Sequence, residues 1–245
     1  MGTTVDPPAR PQALDTAGAT LTHGDLLDAT SLASAFAGID AVYAITTPFE
    51  HGSAEEQRQG EAIIRAALDA ELPWLILASV AAAQRSGVPH FISKARIEQR
   101  LAATTVPWTV IAPRYFCENV LGSAAAIRDG RLPMAIPGDQ PLHQVALADL
   151  GALVAAVIKR RDEHMRQRIE VAGDAPTPKE MAIAIGVRYE NVPLEQIRTR
   201  SDDLAAMYEF LSTDGYRIDV AAVRARYPEI NWTSFADWAA MLDWG

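Results

Sequence analysis

Residues 40–79 read DAVYAITTPFEHGSAEEQRQGEAIIRAALDAELPWLILAS, and this stretch decides the fold. DAVYAIT (40–46) is a near-continuous apolar run, cut off by Thr47-Pro48, and WLILAS (74–79) is a second. Short apolar runs without alternation read as strands covered on both faces. Between them, residues 53–70 read as one long helix, with Glu55 and Glu56 in the first turn, where the helix dipole favours anions. Two such strands joined by a helix make a βαβ unit, with parallel strands and a right-handed crossover.

The pattern continues in both directions. Upstream, ATLT (19–22) is a short strand candidate ending at His23-Gly24-Asp25, and a helix capped by Asp28 or Thr30 runs to Phe36 and stops at Gly38. Downstream, Pro89 opens a helix through about Ala103, and WTVIA (108–112) is a strand closed by Pro113. Beyond residue 114 the rhythm loosens. A helix is expected over 146–159, a strand over 168–172, a helix over 178–185, mostly helix over 201–227, and an amphipathic helix over 231–244. The expected fold class is α/β, a doubly wound parallel sheet with a small C-terminal α+β substrate lobe. Residues 1–145 would form the sheet domain. Residues 146–245 would form a mixed region that adds to both sheet and lobe. The active face of such a sheet lies beyond the C-terminal ends of its strands, where Asp25, Thr46, Thr47, Ser79 and Arg114 fall.

Composition narrows the function classes. The net charge of −9 and pI near 5.0 argue against a nucleic-acid partner, which needs clustered Lys and Arg. Apolar runs around 74–83 are far shorter than the ~20 residues of a membrane helix, so no membrane partner is expected. The single Cys117 excludes an intramolecular disulfide and reads as a buried, inert thiol. A cytoplasmic location is expected. The histidines at 23, 51, 143 and 164 show no i,i+4 pairing, so no metal site is expected, and no G-x-S-x-G elbow occurs.

Lys94 is the sharpest candidate for chemistry. On an ideal helix His90, Lys94, Ile97 and Leu101 fall at about 0°, 40°, 340° and 20°, one narrow stripe. A lysine there faces the sheet. Its stem either packs while the ammonium reaches water, or the ammonium sits in a cleft, where it can hold sugar hydroxyls and bias a proton donor. His90, one turn earlier, is either a first-turn surface residue or a proton donor titrating near neutrality. Ser79, at a strand end, either faces the cleft or caps a turn.

As an ordered set these residues resemble a known family. The stretches are HGDLLDATSLASAFAGIDAVYAITTP (23–48), EEQRQGEAIIRAALDA (55–70), LASV (77–80), GVPHFISKARIEQRL (87–101), PRYFCENVLG (113–122) and HQVALADLGALVAAVI (143–158). Together they are similar to NmrA-like proteins, an atypical branch of the short-chain dehydrogenase/reductase superfamily. The resemblance implies a Rossmann-like domain binding NADP(H). It would place Asp25 and Leu26 beside the adenine, with Thr46, Thr47 and Pro48 lining the adenosine pocket. Ser79 would lie near the nicotinamide and Lys94 on its ribose. Pro113, Tyr115 and Phe116 would wall the nicotinamide, and Tyr115, Asn119 and His143 the substrate. Lys94, His90 and Ser79 are then the catalytic candidates. The superfamily's usual tyrosine, four positions before the lysine, is replaced here by His90.

The start of the chain departs from the family. No two of the fifteen glycines lie closer than Gly18 and Gly24, so a G-x-G-x-x-G or G-x-x-G-x-x-G phosphate loop is absent. By the family pattern, residues 3–6 would fall at the end of the second strand. The first strand, the Gly-rich turn and most of strand two are then missing, a gap of about 10 Å at ~4.8 Å per strand. Either the sheet recloses with 19–22 against 40–46, or the chain is an N-terminally truncated version of a longer one. Three functions follow. One is a reductase passing hydride from NADPH to a quinone-like or other carbonyl acceptor. The second is a catalytically silent NADP(H) sensor acting through a regulatory protein partner. The third is a cofactor-free binding protein. A homo-oligomer is compatible with each.

Overall fold

The computed structural model describes residues 17–213, 215 and 218–244. The expectations for residues 3–10 lie outside this set. The scaffold is a four-stranded parallel sheet of β1 (Val42–Ala44), β2 (Leu75–Ala78), β3 (Trp108–Pro113) and β7 (Arg168–Val171), in the order β1-β2-β3-β7. Its registers pair Val42 with Leu75, Leu75 with Trp108, and Val110 with Arg168.

Alternation along these strands feeds two cores. Leu75, Leu77, Val110 and Ala112 face α2 (Ser53–Asp69) and α3 (Pro89–Ala102), where Ile63, Ala66, Ala67, Ile97 and Leu101 are buried. Trp74, Ile76 and Ile111 face α5 (Leu147–Lys159), packing with Leu150, Leu153 and Val157. This makes three layers, helix on sheet on helix. Helices α2 and α3 approach closely at Gly60, where an added Cβ would stand 2.6 Å from Ile97 side-chain carbons. A third core joins Val88, Phe91, Cys117 and Leu142 to Met181, Phe210, Phe235 and Trp238. It gathers the short pair β5 (Arg131–Met134) with β8 (Arg188–Asn191) and the helices α7 (Pro178–Ile185), α9 (Asp202–Ser212) and α11 (Phe235–Ala240), while the pair β4 (Tyr115–Phe116) with β6 (Gln144–Val145) lies between cores, Tyr115 packing here and Phe116 and Val145 with α5. No helix among the described residues is long and apolar enough to cross a membrane.

Two expectations need correction. Residues 19–22 form no strand and are exposed, so the sheet does not reclose on them. A strand exists only through ladder hydrogen bonds to a neighbour, and among the described residues β1 has a partner on its β2 side alone. The helix α1 (Ala29–Phe36) follows, capped by Asp28, whose carboxylate accepts from the Thr30 N–H. The expected helix over 231–244 shortens to α11, because Ser234 caps it only at that point. The span 201–227 is mostly helix, as expected, and among its described residues the helices are α9 and α10 (Val220–Arg226).

Candidate functional site

The carboxyl ends of β1 and β2 both meet α3, through Thr46 with Lys94 and Ser79 with Glu98. Lys94 faces the sheet, as its stripe requires, and its ammonium neither escapes to water nor stands free. Nζ donates to Glu56 Oε1 at 2.6 Å and to the Thr46 carbonyl at 3.2 Å, with the Thr46 hydroxyl at 3.5 Å. The Lys94 side chain is 14% exposed and that of Glu56 is 0%. Glu56 also accepts from the Thr46 hydroxyl at 3.0 Å and from the Ser93 hydroxyl. Thr46, just beyond β1, is thereby locked to α2 and α3. Thr47 follows, its N–H donating to Gln59 at 3.0 Å, and Pro48 is buried behind it.

His90 sits one turn before Lys94, with its side chain 6% exposed. Its Nδ1 lies 2.6 Å from Asp203 Oδ2, and its backbone N–H donates to Asp203 Oδ1 at 3.1 Å. Phe49 and Phe91 flank the ring, with centroids 5.9 and 4.7 Å away.

Ser79 belongs to a different network. Its hydroxyl donates to Glu98, which is buried on α3 and held by Arg168 Nε at 2.8 Å. Arg168 also binds Glu170 at 2.6 Å and the Val80 carbonyl at 2.8 Å, and Arg114 reaches Glu170 at 2.6 Å. Burial opposes the charge of Glu170. The Ala82 N–H, Arg114 and Arg168 outweigh it and hold the carboxyl below its ordinary range.

The remaining candidates fall into two groups. The β4–β6 ladder sets Tyr115 opposite Gln144 and Phe116 opposite Val145, so His143 adjoins Tyr115 beside the end of β3 at Pro113. His143 is half-buried, and Nε2 lies 3.2 Å from the Ile218 carbonyl. Burial and the Arg114 charge hold its pKa below the usual histidine value. Asn119 is exposed on the 3-10 turn Cys117–Ser123. Asp25 and Leu26 lie apart, in the turn before α1, where Asp25 bonds the Leu27 N–H at 2.8 Å. Cys117 is buried, and burial with the charges of Glu118, Asp174 and Asp149 pushes its thiol up to about 12.

Three site partners, Glu56, Asp203 and Glu98, are absent from the site residues expected from the sequence. By position alone Glu56 reads as a first-turn anion. It shares helical spacing with Gln59, Gly60 and Ile63, all buried, and that stripe is a readable signal. Asp203 has no local signal, since it meets His90 from a helix far along the chain.

Known proteins resemble this chain across most of its length. It is 26% identical over 190 residues to the (4-alkanoyl-5-oxo-2,5-dihydrofuran-3-yl)methyl phosphate reductase of Streptomyces griseus, covering 74% of this chain. It is 28% identical over 168 residues to quinone oxidoreductase 2 of Escherichia coli, covering 69% of this chain. The matches span 65% and 57% of those two relatives' own lengths. Among solved structures, the NADPH-dependent quinone oxidoreductase of Escherichia coli complexed with NADPH superposes with a TM-score of 0.81 at 24% identity. That match covers 96% of this chain and 87% of the other, and establishes a Rossmann-like fold. The model of the NmrA-like family matches residues 6–239, and the chain therefore belongs to the NmrA-like family.

Proposed function

We propose that this chain carries the ribose, nicotinamide and acceptor side of an NADPH-dependent reductase whose acceptor is a quinone-like or other small carbonyl compound. The observation that carries this reading is Lys94, a lysine turned inward at the end of β1 with His90 one turn before it. The reductases among its relatives support it.

The residues present fit part of a dinucleotide. Lys94 and the Thr46 carbonyl offer a donor and an acceptor suited to ribose hydroxyls, and Thr47 and Pro48 extend the same wall. Tyr115 and His143, which the β4–β6 ladder brings beside the end of β3, would offer a mixed apolar and polar lining to a planar acceptor, with Phe116 packed behind them into the core that holds Val145 and Leu150. Asp25 and Leu26 would take the adenine side. The pyrophosphate has no glycine-rich turn to receive it in this sequence. When bound, a reduced nicotinamide supplies the hydride. Lys94 orients the sugar, with Glu56 fixing its ammonium. His90 holds the proton that the acceptor oxygen needs. Ser79, through Glu98, stiffens the strand end beneath the site.

Calorimetry with NADPH, and NADPH oxidation over a panel of quinones, test this reading. The folded double variant Glu56→Gln/Lys94→Met should bind at least ~10-fold more weakly than the parent, the loss of one charge-assisted contact. No binding heat at millimolar NADPH and no oxidation would sink the proposal. Binding without turnover on any acceptor would favour a nucleotide sensor acting through a protein partner.

A further inference from the structure

The acid beside His90, one-third exposed, comes from a distant part of the chain. Asp203 occupies the first turn of α9, after the Ser201 cap, and reaches across to the first turn of α3. One carboxylate oxygen takes the His90 backbone N–H and the other takes ring Nδ1. A carboxylate held at both oxygens cannot rotate away. A second contact of the two helices, Phe91 edge-on to Phe210 at 6.2 Å between centroids, fixes their spacing.

We infer that Asp203 is a positioning residue that holds the His90 ring with its proton on Nδ1 and leaves Nε2 as the atom that exchanges protons. An ionised carboxylate only accepts hydrogen bonds, so the ring nitrogen 2.6 Å away must carry hydrogen whenever Asp203 is charged. Neutral His90 is then the Nδ1–H tautomer, and its second proton can enter and leave only at Nε2. Nε2 has no hydrogen-bond partner among the described residues, and Phe49 and Phe91 restrict the ring's tilt.

The catalytic consequence rests on the reductase reading above. A carbonyl acceptor that gains a hydride at carbon sends its π pair to oxygen, which then takes one proton. Protonated His90 gives that proton from Nε2 and keeps the N–H electron pair on nitrogen. It returns to the neutral Nδ1–H form already bonded to Asp203, and solvent restores the proton. Because the acid stands on α9 and the histidine on α3, the pair is assembled only when these helices are docked.

The tautomer can be read without cofactor. In protein labelled with ¹⁵N at the histidine rings, two-bond ¹H–¹⁵N correlation spectra at a pH where the rings are neutral report which nitrogen holds hydrogen. Wild type should show His90 as Nδ1–H. Asp203→Asn can turn its NH₂ toward Nδ1, so its spectrum should move toward the Nε2–H form, and Asp203→Ala should give a mixture. Amide shifts of the α3 interior serve as the check that both variants are folded. An Nε2–H pattern in wild type overturns the inference. So does an Nδ1–H pattern unchanged in both variants. If either variant fails to fold, the wild-type pattern and the other variant still decide. Should the parent turn over a quinone, Asp203→Asn should lower kcat by ~10²–10⁴ with little change in KM. A parent without turnover sinks the reductase reading and leaves the tautomer result standing.

Discussion

Replacing Glu56 by Gln isolates the worth of the charge that holds Lys94. In the native site Oε1 accepts from Lys94 and the Thr46 hydroxyl, and Oε2 accepts from Ser93. Glutamine fits the same space. Its amide oxygen can keep the Oε1 role, while the new NH₂ faces Ser93. That hydroxyl can turn to the His90 carbonyl, 3.0 Å away, and accept from the amide. Hydrogen bonding therefore survives, and what disappears is the counter-charge of a lysine only 14% exposed. Removing one partner of a buried pair costs ~3–5 kcal/mol. Lys94 can relax partway to water, so the expected loss is about 3 kcal/mol, the lower end of that range. In a chain of this length that corresponds to a Tm drop of roughly 6–12 °C. Urea unfolding followed by far-UV circular dichroism measures it, with an unchanged m value showing that both end states keep their compactness. Adding Lys94→Met removes the stranded charge and should recover more than about 1 kcal/mol. A loss under ~1 kcal/mol for Glu56→Gln, or a double variant as unstable as the sum of the singles, would refute the reasoning.

Three further outcomes are expected. Gly60→Ala gains ~1 kcal/mol of helix propensity and meets an overpacking cost of ~1–3 kcal/mol against Ile97. It should be destabilising by about 1 kcal/mol, and Ile97→Ala in the same chain should cost less than additivity predicts; a stabilised Gly60→Ala would contradict the close approach. The folded pKa of Glu170 lies below its ordinary 4.5. The stability it lends is whole above that value and drains as pH falls through the folded pKa, so Glu170→Gln should flatten the acid limb of a stability–pH profile and leave the profile's shape near pH 7 alone. Cys117, with its thiol pushed up to about 12, should not react with a disulfide reagent in the native protein at pH 8 and should react fully once unfolded; rapid native labelling would argue against its burial.

The sequence carried the sheet and its helices well. Several helices carry a boundary in their own residues: Asp28 caps α1, Pro89 opens α3, and Thr177 with Glu180 forms a capping box on α7, which Gly186 ends. Strands β2 and β3 are apolar on both faces and nearly impossible to misread. The short strands β4, β6, β5 and β8 escaped, because two to four residues carry no periodicity and exist only through their distant partners. Residues 19–22 show the reverse error. Their composition suits a strand, yet composition does not supply a neighbour. At the site, the inward direction of Lys94 was legible from helical spacing. The buried stripe of α2 marks Glu56 as inward-facing, but which groups pair with Lys94, His90 and Ser79 was not legible, because each hydrogen bond joins elements whose proximity the fold creates. Ser79 is the clearest case, since its hydroxyl binds Glu98 rather than facing the cleft.

The position of β7 has a consequence for how the chain reaches its native state. Strand β7 lines up against β3, and everything that separates them in sequence, including both short sheets' first strands and α5, must be made before that edge can form. Parallel pairing across so long a loop raises contact order and slows folding. During synthesis at ~5–20 residues per second, the outer edge of β3 stays unpaired for several seconds after it emerges. Arg168 then arrives with two jobs, opening the last ladder and neutralising Glu98 beneath Ser79. Completion of the sheet and charge balance under the strand ends are thus one event, and a nascent chain halted before residue 168 should be the species a chaperone meets.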